Sequence, residues 1–467
     1  MKKLFAFVIT LALCAMTFSP AFVNGRAAAK EGEGKAKYKA DEILIQFKPG
    51  ATAEDIVSAR NSVGALTKKQ LKKAEKLAAK GELELAAIQS GLSVEDAVNI
   101  IQAHPSVAFA EPNWVVTHQA TATDSYYTNG NLWGMYGDAT TPANQFGSQA
   151  GEAWARGSVG SSSVYVGVID EGIDPLHIDL AANIWTNPYD PIDGVDNDGN
   201  GYADDVNGWD FFQDNSSIYD GARPSDYETD LHGTHVAGTI GALSNGLGVV
   251  GVNWNVTMIS AKFLGPDGGT VADAIAAVNY FVDLKTRHGL NIVAINNSWG
   301  GGGYSQALHD AVIRAAKANM LFTAAAGNGN LAGIGQNNDT RASYPSNYNT
   351  TQGTSTESAA SYDAVIAVAA LTSTGALAKY SNYGVTTVDI GAPGSGVWST
   401  SPNNTLTRLD GTSMATPHVT GAVALYASTH PGATPEAIRN AVLTTGVATS
   451  SLNKKTVTGR RLNVSTF

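Results

Sequence analysis

Three short motifs carry reactive side chains. Val168-Ile169-Asp170-Glu171-Gly172-Ile173-Asp174 places an Asp directly after an apolar run. His232-Gly233-Thr234-His235-Val236-Ala237-Gly238-Thr239 places a His at the start of a small-residue helix. Gly411-Thr412-Ser413-Met414-Ala415-Thr416-Pro417-His418-Val419 opens a helix on Ser413 with a Pro just inside. Carboxylate, imidazole and hydroxyl are the groups that orient a base, move a proton and attack a carbonyl. Taken singly, each also has a structural reading: a strand-end cap, a satisfied polar group, a helix N-cap. A fourth segment, Asp196-Asn197-Asp198-Gly199-Asn200-Gly201-Tyr202-Ala203-Asp204-Asp205, presents oxygens at alternating positions with Gly in the sixth place. That is the opening of a calcium loop of the D-x-D-x-N-G kind. Its twelfth position is Asn207 rather than a bidentate Glu, so Asp204 or Asp205 must supply the missing charge. The segment reads as a calcium-binding insertion using Asp196, Asp198, Asn200, Tyr202, Asp204 and Asp205, and not as an EF-hand with its helix pair. The alternative is an exposed acidic turn.

The elements around these motifs have two textures. Val164 to Ile169, Ile292 to Ile295 and Leu321 to Ala326 are continuous apolar runs, as expected of strands buried on both faces. Helical patterns lie between and after them, at 271–288, 305–319 and 415–429. Alternating strand and helix predict an α/β fold: a mostly parallel sheet with helices on both faces and a site at the carboxyl ends of the strands. The earlier part reads differently. Strands at 42–47, 83–88 and 107–116 and helices at 53–63 and 93–104 predict a small α+β, ferredoxin-like unit. Ser93 with Asp96 three residues on marks the start of the second helix. The basic stretch from Lys68 to Lys80 is unassigned. It reads either as a solvated helix face or as a surface drawn to the acidic part of the chain.

A chain of 467 residues is long for one domain. The expected divisions are a signal peptide (1–25), a flexible leader (26–40), the small α+β unit (41–117), a linker that begins the mature enzyme (118–160) and the large domain (161–467). Lys2 and Lys3, a short apolar stretch and a small-residue region form the export signal, which predicts a secreted protein. No later apolar run is long enough to span a bilayer, so no stable membrane insertion is expected. The one cysteine, Cys14, lies inside that signal. The exported protein would then have no disulfide, leaving bound metal as the expected source of extracellular stability. The net charge is −11, and the acidic excess falls after residue 120. That balance argues against nucleic-acid binding.

Over about residues 150 to 465, the order Asp, His, Ser and the flanking residues resemble the subtilisin-like serine proteases, the subtilases. The resemblance implies that Ser413 attacks the scissile carbonyl, His232 relays its proton and Asp170 orients the imidazole. It gives Asn328, in Ala325-Ala326-Gly327-Asn328-Gly329, the role of oxyanion donor beside the backbone N–H of the nucleophile. It assigns peptide pairing to two segments, through Gly268 and Gly269 and through Ser298, Trp299 and Gly300. It also implies a second structural Ca2+ site at Asp179, Asn245 and the carbonyls of Leu243, Leu247 and Val249. His235 and His418 fall on positions used for packing and hydrogen bonding. Residues 41–117 resemble the inhibitor-like propeptide of the family, most tellingly at Ala108-Phe109-Ala110-Glu111-Pro112-Asn113.

The whole therefore resembles a secreted, monomeric endopeptidase of polypeptide substrates, made as a zymogen inhibited by its own propeptide. The rival is a catalytically silent binding module of the same fold. Two departures stand out. Glu171 follows Asp170 where Thr or Ser is commoner, adding negative charge. Gly329 and Ser343 lie where the family shapes its specificity pocket, implying a roomy one.

Overall fold

The computed structural model describes residues 38–71, 81–89, 91–114, 121–221 and 230–467. The expected signal peptide, most of the leader and residues 72–80 of the basic stretch lie outside them. The described chain forms two units that divide between Val116 and Thr117.

In the first unit, β1 (Tyr38–Phe47), β2 (Ala65–Gln70), β3 (Leu83–Ile88) and β4 (Val107–Trp114) form an antiparallel sheet in the order β2-β3-β1-β4. Helices Ala53–Asn61 and Val94–Gln102 complete the β-α-β-β-α-β pattern. Both helices begin on capping side chains. Thr52 Oγ1 accepts from the Asp55 amide at 3.2 Å and Ser93 Oγ from the Asp96 amide at 3.1 Å. Ile43, Ile45, Phe47, Ala97 and Ile101 are fully buried and form the centre of a small core. One boundary moves here, and part of the unassigned basic stretch takes a form. The leader ends three residues early, because β1 starts at Tyr38. The basic stretch opens as the edge strand β2, not as a helix, and Lys68 reaches Glu42 at 2.6 Å. Lysines on an edge strand oppose further pairing.

The second unit is built on β5 (Gly160–Asp170), β6 (Gly208–Asp210), β7 (Asn255–Lys262), β8 (Ile292–Asn297), β9 (Leu321–Ala325), β10 (Val365–Leu371) and β11 (Ile390–Pro393). A hairpin of β12 (Val397–Ser401) and β13 (Thr405–Leu409) stands apart from the sheet, and β14 (Val447–Ala448) and β15 (Arg460–Arg461) join its far edge. The nine-stranded order is β14-β15-β11-β10-β9-β8-β5-β7-β6, parallel except for the β14–β15 pair. β8, β9 and β10 are buried along their whole length, as their continuous apolar text requires. Helices Val271–His288 and Gln306–Lys317 pack in one apolar cluster of the sheet, and helices Leu231–Gly241 and Thr412–Thr429 pack in another.

Residues 121–159, expected as a linker and the start of the mature enzyme, pack into the second unit. Helix Ala150–Ala155 and the buried rings of Tyr127, Trp133, Tyr136 and Trp154 belong to the larger core. After β5 the chain builds outward through β6 and β7 on one side, then returns to β8 on the other. The carboxyl ends of β5 and β8 therefore meet at a topological switch point, where such sheets hold their ligands.

Candidate active site

Asp170 is the last residue of β5 and is 1% exposed. Its Oδ1 lies 2.8 Å from His232 Nδ1 and accepts the Glu171 amide at 2.9 Å. His232 stands in the first turn of helix Leu231–Gly241, whose glycines and small residues let it pack tightly. A Cβ at Gly233 would meet the Gly172 carbonyl at 2.1 Å, so the His232 turn and the Asp170 turn touch backbone to backbone.

The pair sits in a charged setting. The Glu171 carboxylate accepts the His232 backbone N–H. Asp170 faces Lys262 across the parallel register of β5 and β7. Lys262 is fully buried; its ammonium donates to the Glu171 carbonyl and pairs with Asp230 at 2.6 Å and Asp220 at 3.1 Å. Burial, then the like charge of Asp170, pushes Glu171 up to about 7. Burial pulls His232 towards its neutral form, but the Asp170 charge and hydrogen bond and the Glu171 charge outweigh it and raise the imidazole to about 9. His235 and His418 behave oppositely. Burial holds them neutral, down to about 3 and about 4, although His235 bonds the Val397 carbonyl and His418 the Met414 carbonyl.

Ser413 lies at the start of helix Thr412–Thr429 and is 9% exposed. Its hydroxyl donates to the Ser298 carbonyl at 2.9 Å, and Ser298 Oγ donates back to the Ser413 carbonyl at 2.8 Å. The strand and helix are thus cross-braced at the reactive residue. Ser413 Oγ is turned to Ser298 rather than to the imidazole. Asn328 follows β9, and its Oδ1 accepts from the Thr412 amide at 2.8 Å and the Thr412 hydroxyl at 2.9 Å. With its oxygen so engaged, its Nδ2 is presented to the site. A Cβ added at Gly411 would lie 3.5 Å from Asn328 Nδ2 and 3.5 Å from the Ser413 amide nitrogen. Both nitrogens thus lie close to the Gly411 turn.

The other expected residues fall around this centre. Trp299 and Gly300 follow β8 and line a cavity of about 450 Å³ shared with Asn328, Gly329, Ser343 and Ser413. Trp299 packs on Phe263 with ring centroids 4.8 Å apart. Gly268 and Gly269 lie in and beside a turn closed by Gly265–Gly268 hydrogen bonds, and neither lines that cavity. Arg341 also lines it; sequence reasoning passed over this side chain, whose signal was a lone basic residue between Asn328 and Tyr344.

Hard oxygen donors for a cation occur in two places. In the 196–205 loop the donor chemistry suits calcium, but the carboxylates are turned inward. Asp196 accepts the amides of Gly199, Asn200 and Gly201, and Asp204 those of Asp193 and Gly194. Asp205 accepts from Asn187, Asn200 and Tyr280. Asp198 faces His288 at 3.1 Å, and the Tyr202 ring packs among Trp209, Phe211 and Tyr280. Among the described residues no three acidic, His or Cys side chains converge as a metal cage.

At the second place, too, the carboxylates are taken up by N–H donors. Asp179 Oδ1 accepts the Asn245 amide group at 3.0 Å and Oδ2 the Val249 N–H at 3.2 Å, while its carbonyl takes the Leu243 N–H. Leu247 N–H turns to Asn245 Oδ1 at 2.9 Å. Asp124, not anticipated from the sequence, joins the same loop by accepting from Ser244, Asn245 and Gly246. Both carboxylates are buried and receive only neutral donors, so their negative charge is uncompensated among the described residues.

A parallel α/β sheet carrying an Asp–His pair and a helix-opening Ser at its switch point is an arrangement suited to serine hydrolysis. The chain belongs to the subtilase family, whose model (Peptidase S8) matches residues 161–461. The Fervidolysin N-terminal prodomain matches residues 24–113. Similarity to subtilisin DY of Bacillus licheniformis is 36% identity over 64% of this chain and 88% of that one. The alkaline protease of Alkalihalobacillus alcalophilus is 30% identical over 95% and 94% of the two chains. A solved protease from Pseudoalteromonas arctica PAMC 21717 superposes with a TM-score of 0.55 at 27% identity, covering 74% of this chain and 98% of that chain. The chain is thus a subtilisin-like serine endopeptidase with an N-terminal prodomain. Among the described residues no helix is long and apolar enough to cross a membrane.

Proposed function

We propose that Ser413, His232 and Asp170 are the nucleophile, general base and orienting carboxylate of this endopeptidase, with Asn328 Nδ2 and the Ser413 N–H as oxyanion donors. The observation that carries the reading is the 2.8 Å Asp170–His232 contact at a strand end. Rotation of Ser413 about Cα–Cβ moves its hydroxyl from the Ser298 carbonyl to the imidazole, which takes the proton as Oγ attacks. Asp170 holds Nδ1 protonated, so Nε2 is the basic nitrogen. His232 then protonates the leaving amine, and water hydrolyses the acyl-enzyme by the reverse relay. The exposed glycines 300–303 leave room for a substrate backbone to pair beside Ser298 and Trp299.

The protein is exported through residues 1–25, held inactive by residues 41–117 as an intramolecular inhibitor, released by cleavage after that unit and active as a monomer. Calcium bound by Asp124, Asp179, Asn245 and the nearby carbonyls, and by the 196–205 loop after side-chain rotation, neutralises buried charge and stiffens both loops. The test is Ser413→Ala in the full chain. It should leave the chain uncut, peptide substrates intact and a fluorophosphonate probe unattached, while the unaltered chain is processed and labelled. Hydrolysis by Ser413→Ala at the unaltered rate would refute the assignment.

A further inference from the structure

We infer that the cavity beside Ser413 takes an acidic side chain, on the residue whose carbonyl is attacked, and that Arg341 is the cation selecting it. The inference rests on the assignment of Ser413 above. Among the residues lining the cavity, Arg341 is the single Asp, Glu, Lys or Arg. Its backbone N–H anchors the turn by donating to the Asn337 carbonyl at 2.9 Å. Its guanidinium has no ion pair or hydrogen bond among the described residues. The acid nearest in sequence, Asp339, is spent elsewhere, on the hydroxyls of Thr386 and Thr387 and the amides of Val385 and Thr386.

The neutral lining side chains divide in two. Asn382 is consumed: its amide group donates to the Ala326 carbonyl and Asn338 Oδ1, and its oxygen accepts the Gln336 N–H. The Gln336 side-chain amide and the Ser343 hydroxyl make no hydrogen bond within the described chain. What remains is one cation among neutral donors, Gln336 and Ser343 with Asn328 Nδ2 and Trp299 Nε1, around a space of about 450 Å³, next to the nucleophile. An aliphatic side chain there gives the guanidinium no polar partner, and an aromatic one gives it only a cation–π contact. A carboxylate meets it as a planar, two-pronged partner. The net charge of −11 repels acidic substrates at long range, so any preference for them has to come from this local contact.

Four quenched peptides, identical except for Glu, Gln, Phe or Lys before the scissile bond, test this on the processed enzyme made from the full chain. Glu should exceed Gln in kcat/KM by on the order of fivefold at low salt, the scale of a half-exposed ion pair, and by less at high salt. R341A should bring the Glu-to-Gln ratio near one, R341K should keep most of it, and R341E should favour Lys over Glu. A ratio at or below one in the unaltered enzyme, or a ratio that R341A leaves unmoved, would overturn the inference while leaving Ser413 in place. Failure to cut any of the four peptides, with no probe on Ser413, would overturn the protease assignment and this inference with it.

Discussion

Replacing Asn328 with Ala separates the catalytic from the structural work of one side chain. Its oxygen holds the Thr412 amide and hydroxyl at 2.8 and 2.9 Å, and its nitrogen is the proposed oxyanion donor beside the Ser413 N–H. Losing the nitrogen removes one of two oxyanion donors, which costs about 100- to 1000-fold in kcat, or about 3–4 kcal/mol. Losing the oxygen removes two neutral hydrogen bonds, about 1 kcal/mol of stability each. Thr412 keeps one partner, because its hydroxyl also accepts the Gly327 N–H at 3.2 Å. The variant should therefore melt a few degrees lower while remaining folded. KM should change little, since the oxyanion forms only after substrate has bound.

Thr412→Val separates the two effects. It removes the hydroxyl contact to Asn328, and the acceptor of the Gly327 N–H, but leaves the amide contact, so Asn328 is less firmly oriented and kcat should fall about tenfold or less. Steady-state kinetics on one peptide, with melting curves of the same samples, provide the readout. An Asn328→Ala enzyme within threefold of the unaltered kcat would refute the oxyanion reasoning, because losing a preorganised donor costs about 3 kcal/mol.

Other outcomes follow from the charges. Catalysis needs neutral His232, which Asp170 and Glu171 hold protonated up to about 9, so kcat/KM should rise with pH into the alkaline range. Glu171→Gln keeps an acceptor for the His232 N–H but removes an anion, and should move that rising limb to lower pH; a limb that stays put or moves up would count against the electrostatic account. For calcium, chelation should lower the melting temperature of the processed enzyme. Asp179→Asn should lower it when calcium is present, yet leave it unchanged or raise it under chelation, because the same carboxylate is then a buried, uncompensated charge. Equal melting of the variant and the unaltered enzyme in both conditions would refute a cation at Asp124 and Asp179.

The local text determined a good deal. The placement of Asp170, His232 and Ser413 was legible because their neighbours encode a strand end and helix starts: apolar residues up to Asp170, small residues after His232 and Ser413. The buried strands were legible because a parallel strand covered on both faces must be apolar throughout. Ser93 with Asp96 was legible because capping acts across three residues. Other features had no local signature. The edge strand Ala65–Gln70 is polar, and its pairing with β3 defines it. Tyr127, Trp133, Tyr136 and Trp154 sit in Gly-, Asn- and Thr-rich text without periodicity, and only the closed core shows them together. Lys262 reads as an interruption at the end of a strand until the register sets it opposite Asp170, with Asp230 and Asp220 around its ammonium. Asp124 meets Asn245, and Arg341 meets the Ser413 cavity, only through chain closure. The sequence by itself thus determined which residues could do chemistry, because spacing along one element is a local property. The tertiary structure decided which charges surround them, and so the basicity of His232 and the chemistry of the pocket, because those depend on segments that the chain order keeps far apart.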